Sequence, residues 1–243
     1  MTARYELVSA LLNIRGGLAL EIALEHSLEM LQLNRADNQG VRFHVPALYL
    51  RLGRDQEAYD FVKWWTTGAG PNYNWMDMDA PYLNLHDQDI FEPIEGIAKE
   101  LGELHELVHL TNIKVRLSLD IEVLAKEFDK PGKRNASYEE KMEFVHEHAA
   151  TDILYKRRDI VERTEWSDIL ESLRSQIKVL YKYVKTNNRH YWPALRSPDR
   201  WAAAPITIYT WGSREEVNLV FRNTWYSWSE CPAALGVVRE MRA

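Results

Sequence analysis

The sequence predicts an all-α fold of antiparallel helical hairpins, arranged as an α-solenoid or an irregular bundle and joined by long aromatic loops. Three observations predict it. Apolar residues recur at helical spacing through most of the chain. Glycine, asparagine and proline break that pattern at short intervals, as helical hairpins require. Only residues 206–211, ITIYTW, have strand character, and that stretch is too short to build a sheet.

Composition narrows the class. A chain of 243 residues buries one large core or two small ones. Hydrophobic residues make up 46% and charged residues 27%, an ordinary balance for a globular protein in water. The net charge is −6 with no lysine or arginine block, which argues against nucleic acid or an anionic membrane as the main partner. The single cysteine, Cys231, excludes an internal disulfide framework and fits a reducing compartment. Arg4 and Glu6 interrupt any apolar leader core, and no segment reaches the roughly 18 apolar residues of a membrane span. The expected location is cytosolic or nuclear.

The chain opens with two helices, 3–14 and 18–33, parted by Gly16-Gly17. Leu7, Leu11 and Ile14 line the first; Leu20, Leu24, Leu28 and Leu31 line the second. Residues 37–65 read as a further hairpin. Asp37 or Asn38 caps its first helix, and Val41, Val45, Leu48 and Leu52 form its apolar face. Pro46 should kink or split that helix. Gly53 ends it in a left-handed conformation, and Asp55 caps the next helix, which buries Ala58, Phe61, Val62 and Trp65. This helix–glycine–helix unit is tetratricopeptide-like and cannot bury its own apolar face, so neighbouring helices must cover it.

These residues carry a resemblance. Residues 4–65, then YNWMDMDAPYLNL (73–85) and DIFEP (89–93), resemble the helical region of fungal proteins with MYND-type zinc fingers. Weaker similarity follows in 154–195 and 213–235. The resemblance implies a helical region. A MYND finger needs closely spaced cysteines and a histidine around two zinc ions, and this chain has only Cys231, so the finger and its peptide-binding activity do not carry over.

Residues 68–93 are too rich in glycine, proline and asparagine for a long helix. They are expected to dock as an Ω-loop through Trp75, Met76, Met78, Tyr82 and Leu85. A short helix and a long one fill 94–128. The long one carries two apolar stripes, Leu107-Leu110-Ile113-Leu117-Ile121-Leu124 and Leu104-Val108-Val115-Leu119, and so belongs in the middle of the bundle. Residues 129–135 form a polar linker. Beyond it come a charged helical stretch from 137 to 163 with a Ser137–Glu140 capping box, and a strongly periodic helix at 166–185. A helix capped by Ser213 and a last one begun by Pro232, over 232–242, close the chain. Residues 1–130 thus hold the hairpins, docked loop and central helix. Residues 136–243 pack on them in one continuous domain.

The sharpest chemical motif is His105-Glu106-x-x-His109. Histidines four apart on a helix share a face and can chelate zinc, and the glutamate between them can activate a metal-bound water. A third ligand is missing from the motif. Glu122 and Glu127 lie on the same helix ~20 Å or more away at 1.5 Å per residue, and nothing singles out His44, His86, Asp77 or Asp79. The histidines also share a stripe with Asn112 and Arg116, which reads as a solvated or inter-helix polar face with Glu106 turned away toward the apolar side. On that reading His105 and His109 are dispensable for folding. His146 and His148 face apart. Asp77 and Asp79 alone are a weak cation signal.

The expected function is therefore a non-catalytic helical scaffold for a protein or peptide, without a cofactor. Trp75, Asp77, Asp79 and Tyr82 are the candidate binding residues. Two alternatives stand beside it. One is a zinc-dependent hydrolase with His105 and His109 as ligands and Glu106 as base. The other is a small-molecule binder built from the aromatic loop at 68–85 and the tryptophans at 192–211.

Overall fold

A helix that is apolar on two sides must be surrounded, and the long central helix is. The computed structural model describes residues 2–70, 72–100, 102–202, 205 and 207–241. Among them the regular structure is helical, with no strand. α1 (Thr2–Leu11), α2 (Gly17–Leu33), α3 (Val45–Arg51) and α4 (Asp55–Lys63) give the opening hairpins. After the loop come α5 (Glu95–Glu100) and the central α6 (Leu104–Phe128). α7 (Tyr138–His148), α8 (Arg158–Val161) and α9 (Ser167–Asn187) follow. Then come the short α10 (Tyr191–Arg196) and α11 (Asp199–Ala202), and finally α12 (Arg214–Ser229) and α13 (Pro232–Glu240). α6 packs against α3, α4, α7, α9, α12 and α13. Both its apolar stripes are buried, apart from the half-buried Leu119.

The hairpin at 37–65 shows its turn chemistry directly. Asp37 sits at φ 50° and its carboxylate accepts the N–H groups of Val41 (2.8 Å) and Arg42 (2.9 Å). It caps a single 3₁₀ turn, Val41–Phe43, after which α3 starts afresh with Pro46 in its first turn. The proline thus splits the helix, because its missing N–H is tolerated only at a start. Gly53 has φ 70°, and Arg54 N–H closes back on the Tyr49 carbonyl at 2.9 Å, which ends α3. Asp55 is not the cap expected of it. Arg54 occupies the cap position, and Asp55 is fully buried and bonded elsewhere.

Its partner is Arg116 of α6. The guanidinium donates to both Asp55 oxygens, at 2.6 and 2.9 Å, and to the Ala150 carbonyl at 2.8 Å. One turn on, Asp120 accepts the N–H groups of Ala150 (2.8 Å) and Thr151 (3.0 Å) and the Thr151 hydroxyl (2.6 Å). Burial pushes the Asp55 carboxyl up and the guanidinium pulls it back. The polar stripe of α6 is therefore an interior, inter-helix one: His105, His109, Asn112 and Arg116 are all buried.

Several sequence expectations need correction. In α1 the buried residue is Val8, whereas Leu7 and Ile14 are exposed. The helix stops at Leu11, so Ile14 lies beyond it. Met76 and Met78 do not dock the loop; they stand in solvent at its tip. Two short helices, α10 and α11, follow α9 in a stretch for which the sequence predicts no helix. Ile206 and Arg242 lie outside the described residues, and 207–210 form no strand. The capping boxes fare better. Ser137 and Glu140 bond reciprocally, and Ser213 accepts from Glu216 N–H. The α9 stripe Leu173, Ile177, Leu180 and Val184 is buried, with Trp166 just before the helix donating to the Ile160 carbonyl at 2.8 Å.

Removing Asp55 leaves a guanidinium buried without its counter-charge. Asp55→Ala should cost about 3–5 kcal/mol in urea unfolding, whereas Asp55→Leu with Arg116→Met should recover most of that loss. A single-mutant loss under about 1 kcal/mol would show that the pair holds nothing in place.

Candidate functional site

The loop from 72 to 93 is built by side chains that reach it from several helices. Arg35, just after α2, donates to three consecutive-turn carbonyls: Asp77 (3.0 Å), Met78 (2.7 Å) and Ala80 (2.9 Å). Trp64 donates to Asn84 at 3.1 Å. Asp60 of α4 accepts the N–H groups of Asp87 (2.8 Å) and Gln88 (3.0 Å). Lys114 of α6 donates to the Ile90 carbonyl, and Tyr59 and Lys63 hold Glu92. Trp64 itself belongs to a single π-helical turn, Trp64–Gly68, that extends α4. A Cβ at Gly68 would come within 2.7 Å of its indole, so only glycine lets the ring lie there.

The anticipated aromatic site turns out to be packing. Trp75 stacks on Trp65 at 5.6 Å, and Tyr82 meets the Trp64 edge at 4.8 Å beneath the Arg35 guanidinium. Asp77 and Asp79 are exposed, and the Asp77 carboxylate accepts Asp79 N–H at 3.0 Å in a local turn. Trp192 is buried against Tyr181 and Trp228, while Trp211 stands exposed. These rings fill the space between elements, as large amphipathic side chains do.

What the docked loop creates is a groove of about 210 Å³ between itself, α2, α3 and α4. Its apolar lining comes from Leu28, Phe61, Leu83 and Leu85. Its polar lining includes Tyr49, Glu57, Asp60 and His86. The loop wall is strained: Leu83 and Asp87, neither a glycine, sit at φ 48°. Such conformations cost on the order of 1–3 kcal/mol each and survive only where surroundings impose them. Asp60 imposes one of them through its two backbone bonds. At the mouth Arg54 forks onto Glu57 (2.5 and 2.6 Å), reaches Glu21 at 3.4 Å and lies over the Tyr49 ring at 5.0 Å. Burial, with Glu57 next, pushes the Tyr49 hydroxyl up to about 12.

Sequence reading did not find this groove. Leu28 was visible as a stripe residue, but the wall at 83–86 depends on backbone conformations that no side-chain pattern announces.

The histidine motif lies elsewhere, where α6 meets the 3₁₀ turn before α3. His109 donates from Nε2 to the Phe43 carbonyl at 3.0 Å, leaving Nδ1 buried without a partner among the described residues. His105 stacks on the Phe43 ring at 4.2 Å, and Asn223 of α12 lies 3.4 Å from its Nε2. His44 is buried beside them with its Nε2 unpartnered among the described residues. Burial lowers all three rings, His44 and His109 to about 4. Glu106 is raised to about 7 by burial. Contrary to the polar-face reading, it lines the same small cavity as the two motif histidines. That cavity has about 10 Å³, room for about one water molecule and not for a substrate.

Among the described residues no three of histidine, cysteine, aspartate or glutamate converge on one point. His86 lines the groove, and Asp77 and Asp79 stand at the loop tip. Nor do His105 and His109 look dispensable, since each is a buried ring whose loss leaves a cavity. No protein family, curated protein or solved structure matches the chain.

In the acid response the raised carboxyls of Glu106 and Asp55 are opposed by the buried histidines. Their folded pKa values lie below the unfolded 6.5, so between about pH 6.5 and 4 the unfolded chain binds more protons. Stability from this source is complete above pH 6.5 and is lost as pH falls toward 4, on the order of 3 kcal/mol per ring at most. Glu106 acts in the opposite sense, stabilising below pH 4.5 and losing that contribution as pH rises through about 7. The histidine share is read from denaturant unfolding between pH 7 and pH 5 as the difference between the parent and a variant that lacks one ring. His109→Gln keeps a donor to Phe43 but cannot titrate, and should lower the slope of stability against pH by about one proton. An unchanged slope would place the titration elsewhere.

Proposed function

We propose that the chain is a non-catalytic helical scaffold that holds a segment of another protein in the groove between α2, α3, α4 and the docked loop. The single observation that carries this reading is the wall at 83–87. Two non-glycine residues are kept in left-handed backbone, and at least four helix-borne or helix-flanking side chains hold the loop, to form one side of an open, part-apolar trough. Strain of this kind gathers at binding sites. An open groove fits a peptide better than a small molecule, whose pockets usually exceed about 300 Å³ and enclose the ligand. The resemblance to the helical region of MYND-type proteins points the same way, as part of this proposal.

Selection from a random peptide library against the immobilised protein tests the reading. Selected peptides, labelled and followed by fluorescence anisotropy, should lose about tenfold or more in affinity with Leu28→Glu on one wall and with Leu85→Asp on the other, because each places a charge against an apolar anchor. Melting curves on both variants separate lost binding from lost folding. Peptides that bind both variants as tightly as the parent would overturn the assignment of the site.

A further inference from the structure

We infer that the segment taken by this groove is cationic: a lysine or arginine beside an apolar anchor. The inference rests on the scaffold reading above and adds the chemistry of the partner.

Charge complementarity carries it. Glu57 and Asp60 line the trough, and among the described residues no lysine or arginine does. Glu21 pairs with Arg54 at 3.4 Å. Spacing puts Glu21, Glu25, Leu28 and Gln32 along one face of α2, so the wall beside the apolar anchor site is itself acidic. The Tyr49 hydroxyl, facing this field, is raised not only by burial but by Glu57, Asp60 and Glu21 against Arg54 alone.

The chain also shows what this end of the groove accepts. Arg54 lies across the Tyr49 ring at 5.0 Å and donates twice to Glu57. An aromatic face and a carboxylate in that arrangement are a guanidinium or ammonium site. Arg54 spends two of the four or so acceptor positions of the Glu57 carboxylate, which leaves room for a second cation from the groove side. Its own side chain is 36% exposed, so it borders the site without closing it. The stem of an incoming lysine or arginine lies along Leu28, Leu83 and Leu85, and its head meets Glu57 and the Tyr49 hydroxyl.

The test uses three fluorescein-labelled pools of ten-residue peptides, random except for a fixed central Lys-Leu, Ser-Leu or Glu-Leu pair. At 50 mM NaCl the Lys-Leu pool should bind about tenfold or more tighter than the Glu-Leu pool, with Ser-Leu between, and the gap should shrink at 500 mM NaCl, where the Debye length is only a few ångströms. The double substitution Glu21→Gln with Glu57→Gln should narrow the preference to about threefold or less while Ser-Leu binding persists. If the pools bind equally, or Glu-Leu binds best, and Leu28→Glu still abolishes binding, the cationic preference is wrong and the scaffold reading stands. If no pool binds the parent protein better than it binds Leu28→Asn, which removes the apolar anchor without adding charge, both fall.

Discussion

The buried pair between Asp55 and Arg116 is the constraint on which the rest of the arrangement depends. Two charges out of water stabilise little by themselves. What they do is fix register. Asp55 opens α4, Arg116 stands midway along α6, and the same guanidinium holds the Ala150 carbonyl. Asp120 and Asp152 complete the set: Asp120 receives the N–H groups at 150 and 151, and Asp152 accepts Gln56 N–H at 3.1 Å. α4, α6 and the segment after α7 thus meet at one polar knot inside an otherwise apolar interior. Sliding α4 by a turn would strand a charge in that interior, which apolar side chains alone would not forbid.

From that knot the groove follows. With α4 fixed, Asp60 is carried to where it can hold the backbone at 87 and 88, and Trp64 to where it meets Asn84. The trough is therefore built mainly by α4, which supplies both its floor and the hooks for its opposite wall. α6 supplies the backing, through Lys114 to the Ile90 carbonyl.

Much of the fold was legible because it rests on local rules. The stripes of α6 and α9, the left-handed Gly53, the split at Pro46 and the Ser137 and Ser213 caps all follow from side-chain spacing or backbone preference. Asp55 shows where such rules stop. It sits where a cap belongs, and only the distant Arg116 decides that it does something else. The site was less legible still. The conspicuous residues, Trp75, Tyr82 and the two motif histidines, were absorbed into packing. The groove residues Tyr49 and Leu83 carry no local signal, and Leu85 reads only as a docking residue, because what makes them line a groove is a loop folded back over α4.

Arg35 separates two properties that most domains keep together. One guanidinium at the end of the first hairpin gathers backbone carbonyls from 42 to 45 residues further on, and in so doing holds the loop tip, where Met76 and Met78 stand in solvent. The helices around α6 have their own contacts and do not need that tip. The groove wall does, since it continues from the clamped segment. The shape of the trough is thus hung on a few hydrogen bonds, while cooperative folding is vested in the bundle. Sequence change at Arg35 can open or reshape the trough while the bundle beneath it stays intact, so the shape of this surface can drift at little risk to the fold.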